Sequence, residues 1–168
     1  GKMKLHKITL PPPIVAIIVS FGLMLNASAT SWFVATDGND TDNDGSAESP
    51  FATLAKAYDE AAESGDEIVV APGTYVMAAQ LTVAKAVTIR SSTGIAEDVK
   101  IDGNAKVTPL VLNHADAKLQ DVCVQNGSGT SSGGGNVRID TKGGRLERCI
   151  VRNGKLTSQG FTKRGSSG

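Results

Sequence analysis

Aromatic side chains are scarce in this sequence: one Trp, two Tyr and four Phe among 168 residues, 4% of the chain. A surface that stacks nucleic-acid bases needs several of them close together, so that class is excluded. Net charge is missing too. Seventeen Lys and Arg balance seventeen Asp and Glu, which leaves no broad basic footprint for a phosphate backbone. Histidine is limited to His6 and His114, too few for a His-based metal cluster. The Ser-rich stretch 128–132 has no G-x-S-x-G frame, and a hydrolase elbow finds no support. The run Gly133-Gly134-Gly135 has no strand–loop–helix setting, so it reads as a loop between elements, not a phosphate cradle.

What is present begins with an address. Lys4, His6 and Lys7 form a basic start, Ile14 to Leu25 is a twelve-residue run without charge, and Ala27-Ser28-Ala29 offers a small-x-small cleavage site. That order predicts a secretory signal peptide over 1–29 and a secreted or cell-surface protein. Twelve residues rise only about 18 Å as a helix, short of a bilayer core. Apolar residues make up 40% of the chain, enough for one packed domain.

Residues 30–48 are acidic, Gly-punctuated and loop-like. A helix is expected over 49–65, with Ser49 as N-cap, Pro50 at the first turn, an apolar stripe of Phe51, Leu54, Tyr58 and Ala61, and Gly65 as its stop. From Gly65 on, the apolar period changes from helical to alternating. The pairs Ile68/Val70, Leu81/Val83, Val87/Ile89, Val99/Ile101 and Leu110/Leu112 predict short strands with one buried face.

The strongest signal is an internal repeat. Residues 110–127 align without a gap on residues 137–154, pairing Leu110 with Val137, Leu112 with Ile139, Leu119 with Leu146, Val122 with Cys149 and Val124 with Val151. Inward positions keep their apolar character while outward ones vary. Stacked coils behave this way, and a repeat of this length with three short strands predicts a parallel β-solenoid over 66–155. Asn126 and Asn153 fall in register and are expected to form a side-chain ladder. The polar segment 156–168 offers no obvious cap, which reads as a tail or a truncated coil. The fold expected is all-β with one helix, incomplete at its C-terminal end.

The acidic loop, the P-F-x-T-L-x-x-A segment at 50–57, the G-D-x-I-x-V strand at 65–70, Pro72-Gly73-Thr74-Tyr75 and Val87-Thr88-Ile89-Arg90 resemble the N-terminal part of right-handed parallel β-helix proteins of the pectin-lyase-like superfamily. The resemblance implies that the helix caps the open end of the solenoid. It also implies an exported protein that binds or processes an extended polysaccharide, uronate-containing chains included. The alternatives are a cell-surface adhesin or passenger without catalysis, and a truncated stub. Any lyase or glycosidase site would lie largely on later coils, and a monomer is expected.

The candidate site residues are few. Asp40, Asp42 and Asp44 match the start of a D-x-D-x-D-G loop, a pattern that can aim several oxygens at Ca2+. The twelfth position is Phe51 instead of a glutamate, so a solvated acidic turn is the competing reading. In the lyases of the superfamily a Lys or Arg acts as base on the outer face of a sheet. Arg148 and Arg152 are the weak catalytic candidates here, with Arg138 and Asp140 beside them. A stacked Asp121–Arg148 ion pair explains Arg148 without catalysis. Cys123 and Cys149 are one residue out of repeat register, which points them to opposite faces and argues against a disulfide. Cys149 is then expected in the core and Cys123 outside. His114 is expected at a surface turn. Asn39-Asp40-Thr41 and Asn126-Gly127-Ser128 are glycan acceptor sequons.

Overall fold

The computed structural model describes residues 28–62, 65–130 and 134–157. Residues 1–27, the body of the expected signal peptide, and residues 158–168, most of the expected tail, lie outside them. The architecture is a parallel β-solenoid of about three turns with one α-helix. The strands are β1 (Ser31–Val34), β2 (Glu67–Val70), β3 (Gly73–Val76), β4 (Leu81–Val83), β5 (Thr88–Ser91), β6 (Val99–Asp102), β7 (Leu110–Leu112), β8 (Lys118–Gln120), β9 (Cys123–Gln125), β10 (Ser128–Thr130), β11 (Val137–Ile139), β12 (Arg145–Glu147), β13 (Ile150–Arg152) and β14 (Lys155–Thr157). Helix α1 spans Leu54–Glu60.

These strands stack into three long sheets, all parallel. The first runs β1-β2-β5-β8-β12, the second β3-β6-β9-β13, the third β4-β7-β11, and β10 pairs with β14 in a short fourth. Each coil crosses the sheets in turn. Alternation then puts one set of side chains inside. Ile68, Ile89, Leu119 and Leu146 share one inward column, and Tyr75, Ile101, Val124 and Val151 share another.

The 27-residue register read from the sequence is the observed pairing: Val137 with Leu110, Ile139 with Leu112, Leu146 with Leu119, Val151 with Val124. Earlier coils keep the columns but not the spacing. Ile89 follows Ile68 by 21 residues and Leu119 follows Ile89 by 30. The difference is taken up in the corners, where a 3-10 turn at Ala96–Asp98 is inserted. Coil stacking constrains strands, while corners tolerate insertions.

The helix is shorter than the 49–65 span expected. Phe51 belongs to an isolated parallel bridge with Val34, its N–H bonding to Phe33 O and its carbonyl accepting from Ala35 N. That extended backbone cannot also be helical. The Asp40 carboxylate accepts from the N–H groups of Ala52 and Thr53 and from the Thr53 hydroxyl. Thr53, not Ser49, is the N-cap, its Oγ1 accepting from Lys56 N. At the other end the backbone turns extended at Ala61, and Asp66 accepts from Ala62 N. The helix therefore stops at Ala61, before Gly65. Lys85 donates to the carbonyls of Tyr58 and Ala61, satisfying acceptors the helix leaves orphaned and setting a cation at its negative end.

Leu54 and Ala57 are buried with Val34, Phe51 and Ile68 in the main core, and α1 packs on β1 and β2. The helix thus closes the first coil, and β1 covers the edge of β2. Phe51 stacks on Trp32, ring centroids 6.0 Å apart. Its ring fills the space where a Cβ on Gly45 would sit, 2.3 Å from the ring, and Gly45 has φ +79. Only glycine fits there.

Candidate binding surface

The outer face of the second sheet carries the densest polar arrangement. Its outward column at the strand ends is Val76, Asp102, Gln125 and Arg152, one residue per coil. Gln125 Nε2 donates to Asp102 Oδ2 at 2.9 Å, and Asn126 Nδ2 donates to the same oxygen at 2.7 Å. Gln125 Oε1 accepts from Arg152 Nε and Nη2, both at 3.0 Å. Arg152 Nη1 reaches Glu97 Oε1 at 2.7 Å. The result is a continuous polar chain running along the solenoid axis from Asp102 to Arg152.

Burial works against the Asp102 carboxylate. The bonds from Gln125, Asn104 N and Asn126 outweigh it and hold its pKa below the ordinary aspartate value. Asp102 is therefore ionised at neutral pH and serves as an acceptor, not as an acid.

Beside this column lies a groove of about 320 Å³, lined by Val76, Asp102, Asn104, Ala105, Asn126, Asn153 and Lys155. It runs past the ends of the four strands of the second sheet. Its polar lining comes from the corner after the second sheet, where Asn104, Asn126 and Asn153 each hold a left-handed backbone, φ 51, 52 and 55. Asn tolerates that conformation better than most residues. The corner geometry therefore favours Asn, and the groove gains three carboxamides as a consequence. A second hollow, of about 330 Å³, lies between α1 and the β3–β4 corner. Ala52, Leu54, Ala55, Met77 and Leu81 line it with few polar groups, as in an imperfect packing seam.

Arg148 and Arg152 sit on one coil but serve different acceptors. Arg148 occupies the turn between β12 and β13 at φ 50 and grips Asp121 with two bonds, Nε–Oδ1 at 2.6 Å and Nη2–Oδ2 at 2.7 Å. Asp121 holds the equivalent turn one coil below, φ 52, so the pair bridges successive coils. The Arg148 hydrogen bond to Asp121, with the carboxylate's charge, raises the guanidinium pKa further, the wrong direction for a base. Arg138 Nη2 lies 3.3 Å from Asp140. His114 Nδ1 accepts from Asp116 N in a turn.

The acidic loop spends its carboxylates on nearby backbone and side-chain donors. Asp40 brackets the entry to α1, Asp42 accepts from Asn39 Nδ2, and Asp44 accepts from Ser46 N. Among the described residues no three carboxylate, imidazole or thiolate groups gather around one point.

The two cysteines are free. Cys149 occupies the Val122 column and packs partly against the core, as its register predicts. Cys123 faces outward but is fully buried, which corrects the expectation of an exposed thiol. Its strand β9 packs against the Ala96–Asp98 turn, which Arg152 ties down through Glu97. Burial raises both thiol pKa values.

The expected Asn126–Asn153 ladder is not made among the described residues, because Asn126 turns its amide to Asp102. Two features escaped the sequence. Asn136 is buried, its Oδ1 accepting from Gly127 N at 2.6 Å and its Nδ2 donating to Arg152 O at 2.7 Å. Asp66 ties Thr30 N, Trp32 Nε1 and Ala62 N together. Neither stands out from its local sequence, Asn136 following a glycine run and Asp66 lying between Gly65 and Glu67.

Residues 36–83 match a family described as a protein of unknown function (DUF1565). That family is associated with β-helix proteins, and the matched segment covers the acidic loop, the cap and the first coil. No curated protein and no solved structure matches the chain.

Proposed function

We propose that the chain is an exported β-solenoid protein, of the pectin-lyase-like kind, that holds an extended polysaccharide in the groove beside the second sheet without cleaving it. One observation carries this reading: Asp102, Asn104, Asn126, Asn153 and Lys155, drawn from successive coils, line one groove. Hydroxyl-rich chains are recognised by such repeated amide, carboxylate and ammonium groups, and a solenoid suits an extended ligand because each coil repeats the same outward positions.

Binding is preferred to cleavage on chemical grounds. A glycosidase needs a carboxylic acid held protonated by a raised pKa, and Asp102 is shifted the other way. A lyase needs a base that can lose its proton, and Arg148 is clamped by Asp121. The same groove would serve an adhesin or a surface passenger equally well.

The test is affinity electrophoresis of the exported protein through gels containing neutral or uronate-rich polysaccharides, followed by titration with size-graded oligosaccharides. Affinity should rise with ligand length until the groove is spanned. Lys155→Ala should weaken it by about threefold to tenfold, the range for one surface charge at a polar site, with Tm unchanged and no shortened product. Retardation by none of the polysaccharides, or indifference to Lys155→Ala, would overturn the reading.

A further inference from the structure

The two Asn-Gly pairs occupy equivalent corners on adjacent coils, Asn126-Gly127 and Asn153-Gly154. Their backbones match, with φ 52 and 55 at the asparagines. Their surroundings do not. Asn126 is half-buried and its side-chain nitrogen is held by Asp102, 2.7 Å away. Gly127 is buried and its N–H is held by Asn136 Oδ1 at 2.6 Å. Asn153 and Gly154 are both exposed. Among the described residues, neither the Asn153 side chain nor the Gly154 N–H has a hydrogen-bond partner.

We infer that Asn153 is a site of self-catalysed deamidation and that Asp102 and Asn136 protect its twin, Asn126. The reaction needs a free backbone nitrogen after the asparagine and a side-chain amide free to leave. The Gly154 nitrogen gives up its proton to a solvent base and attacks Asn153 Cγ. A C–N bond forms, closing a five-membered imide. The bond from Cγ to the side-chain nitrogen breaks, and ammonia departs with a proton from solvent. Water then opens the imide at either carbonyl, leaving aspartate or its iso-linked isomer. The balance is one water consumed and one ammonia released. Glycine at the second position keeps a side chain out of the attack path.

At Asn126 both reacting groups are already bonded, the nucleophile to Asn136 and the leaving amide to Asp102. That pair can react only after the third coil opens locally. The product at Asn153 is a carboxylate placed beside Lys155 in the groove, which lowers the local positive charge. The inference stands whether or not the groove takes a glycan.

The experiment is peptide mass spectrometry of the intact chain held in mildly alkaline buffer, reading the conversion of each asparagine over time. In folded protein Asn153 should convert at least about tenfold faster than Asn126, since each step in barrier height of about 1.4 kcal/mol is tenfold in rate. In denaturant the two should convert at similar rates. Asn136→Ala should bring the folded Asn126 rate up toward that of Asn153. Should that variant fail to fold, the folded-to-denatured ratio of the natural chain decides alone. A folded ratio equal to the denatured one, or faster conversion at Asn126, would overturn the inference.

Discussion

Leu119 and Leu146 stand in the same inward column, one coil apart. Leu119 is fully buried, with Ile89 on one side and Leu146 on the other. Leu146 lies on the last described coil and is only partly buried. A Leu→Ala change therefore does different things at the two positions. At Leu119 it removes buried methyl groups and leaves a cavity that neighbours on both sides cannot collapse, costing about 3–4 kcal/mol. At Leu146 no strand among the described residues stacks beyond it, so less transfer free energy is lost and the space can hydrate, costing about 1–2 kcal/mol. In a domain of this size those losses correspond to Tm drops of about 12 °C and about 5 °C. Urea melts followed by circular dichroism would read both, with the slope unchanged if only stability moves. Equal losses, or the larger loss at Leu146, would refute the column argument, because the outer coil would then be as enclosed as the third.

Asp66 and Asp102 have pKa values below the ordinary range, because hydrogen bonds outweigh the burial that opposes them, and Asp121 is lowered chiefly by Arg148. A depressed folded pKa gives stability that is present above the unfolded value of about 3.9 and lost as pH falls through the folded one. Acid titration should therefore melt the protein below about pH 4, and Asp66→Asn should flatten that dependence; an unchanged curve would contradict it. Tyr75 is pushed up to about 12, by burial first and Asp37 second, so its phenol absorbance should change only near that pH, and stability should fall between the unfolded value of about 10 and the folded one. Asp40→Ala removes the acceptor for Ala52 N, Thr53 N and the Thr53 hydroxyl and should cost about 1 kcal/mol. A chelator should leave Tm unchanged, whereas a drop abolished by Asp42→Ala would establish calcium in the acidic loop. Both cysteines should react slowly with a thiol reagent until the chain unfolds, and fast labelling of Cys123 would contradict its burial.

The solenoid was legible in the residue pattern. Alternating apolar pairs set the strands, and the match of residues 110–127 with 137–154 set the register of the last two coils. Both are local or self-referring signals, since a stacked coil must present side chains of similar kind at the same inward position. The Asp121–Arg148 bridge was legible for the same reason. Tertiary structure alone decided the rest. Phe51 left the helical stripe because β1, far away in sequence, bonds its backbone. Cys123 became buried because its strand β9 packs against the Ala96–Asp98 turn, to which Glu97 and Arg152 link the next coil. Asn126 chose Asp102 over Asn153 because the carboxylate offers a charged acceptor on an adjacent coil. Such choices depend on which groups meet across coils of unequal length. The spacings of 21 and 30 residues in the early coils hide those meetings from any fixed period.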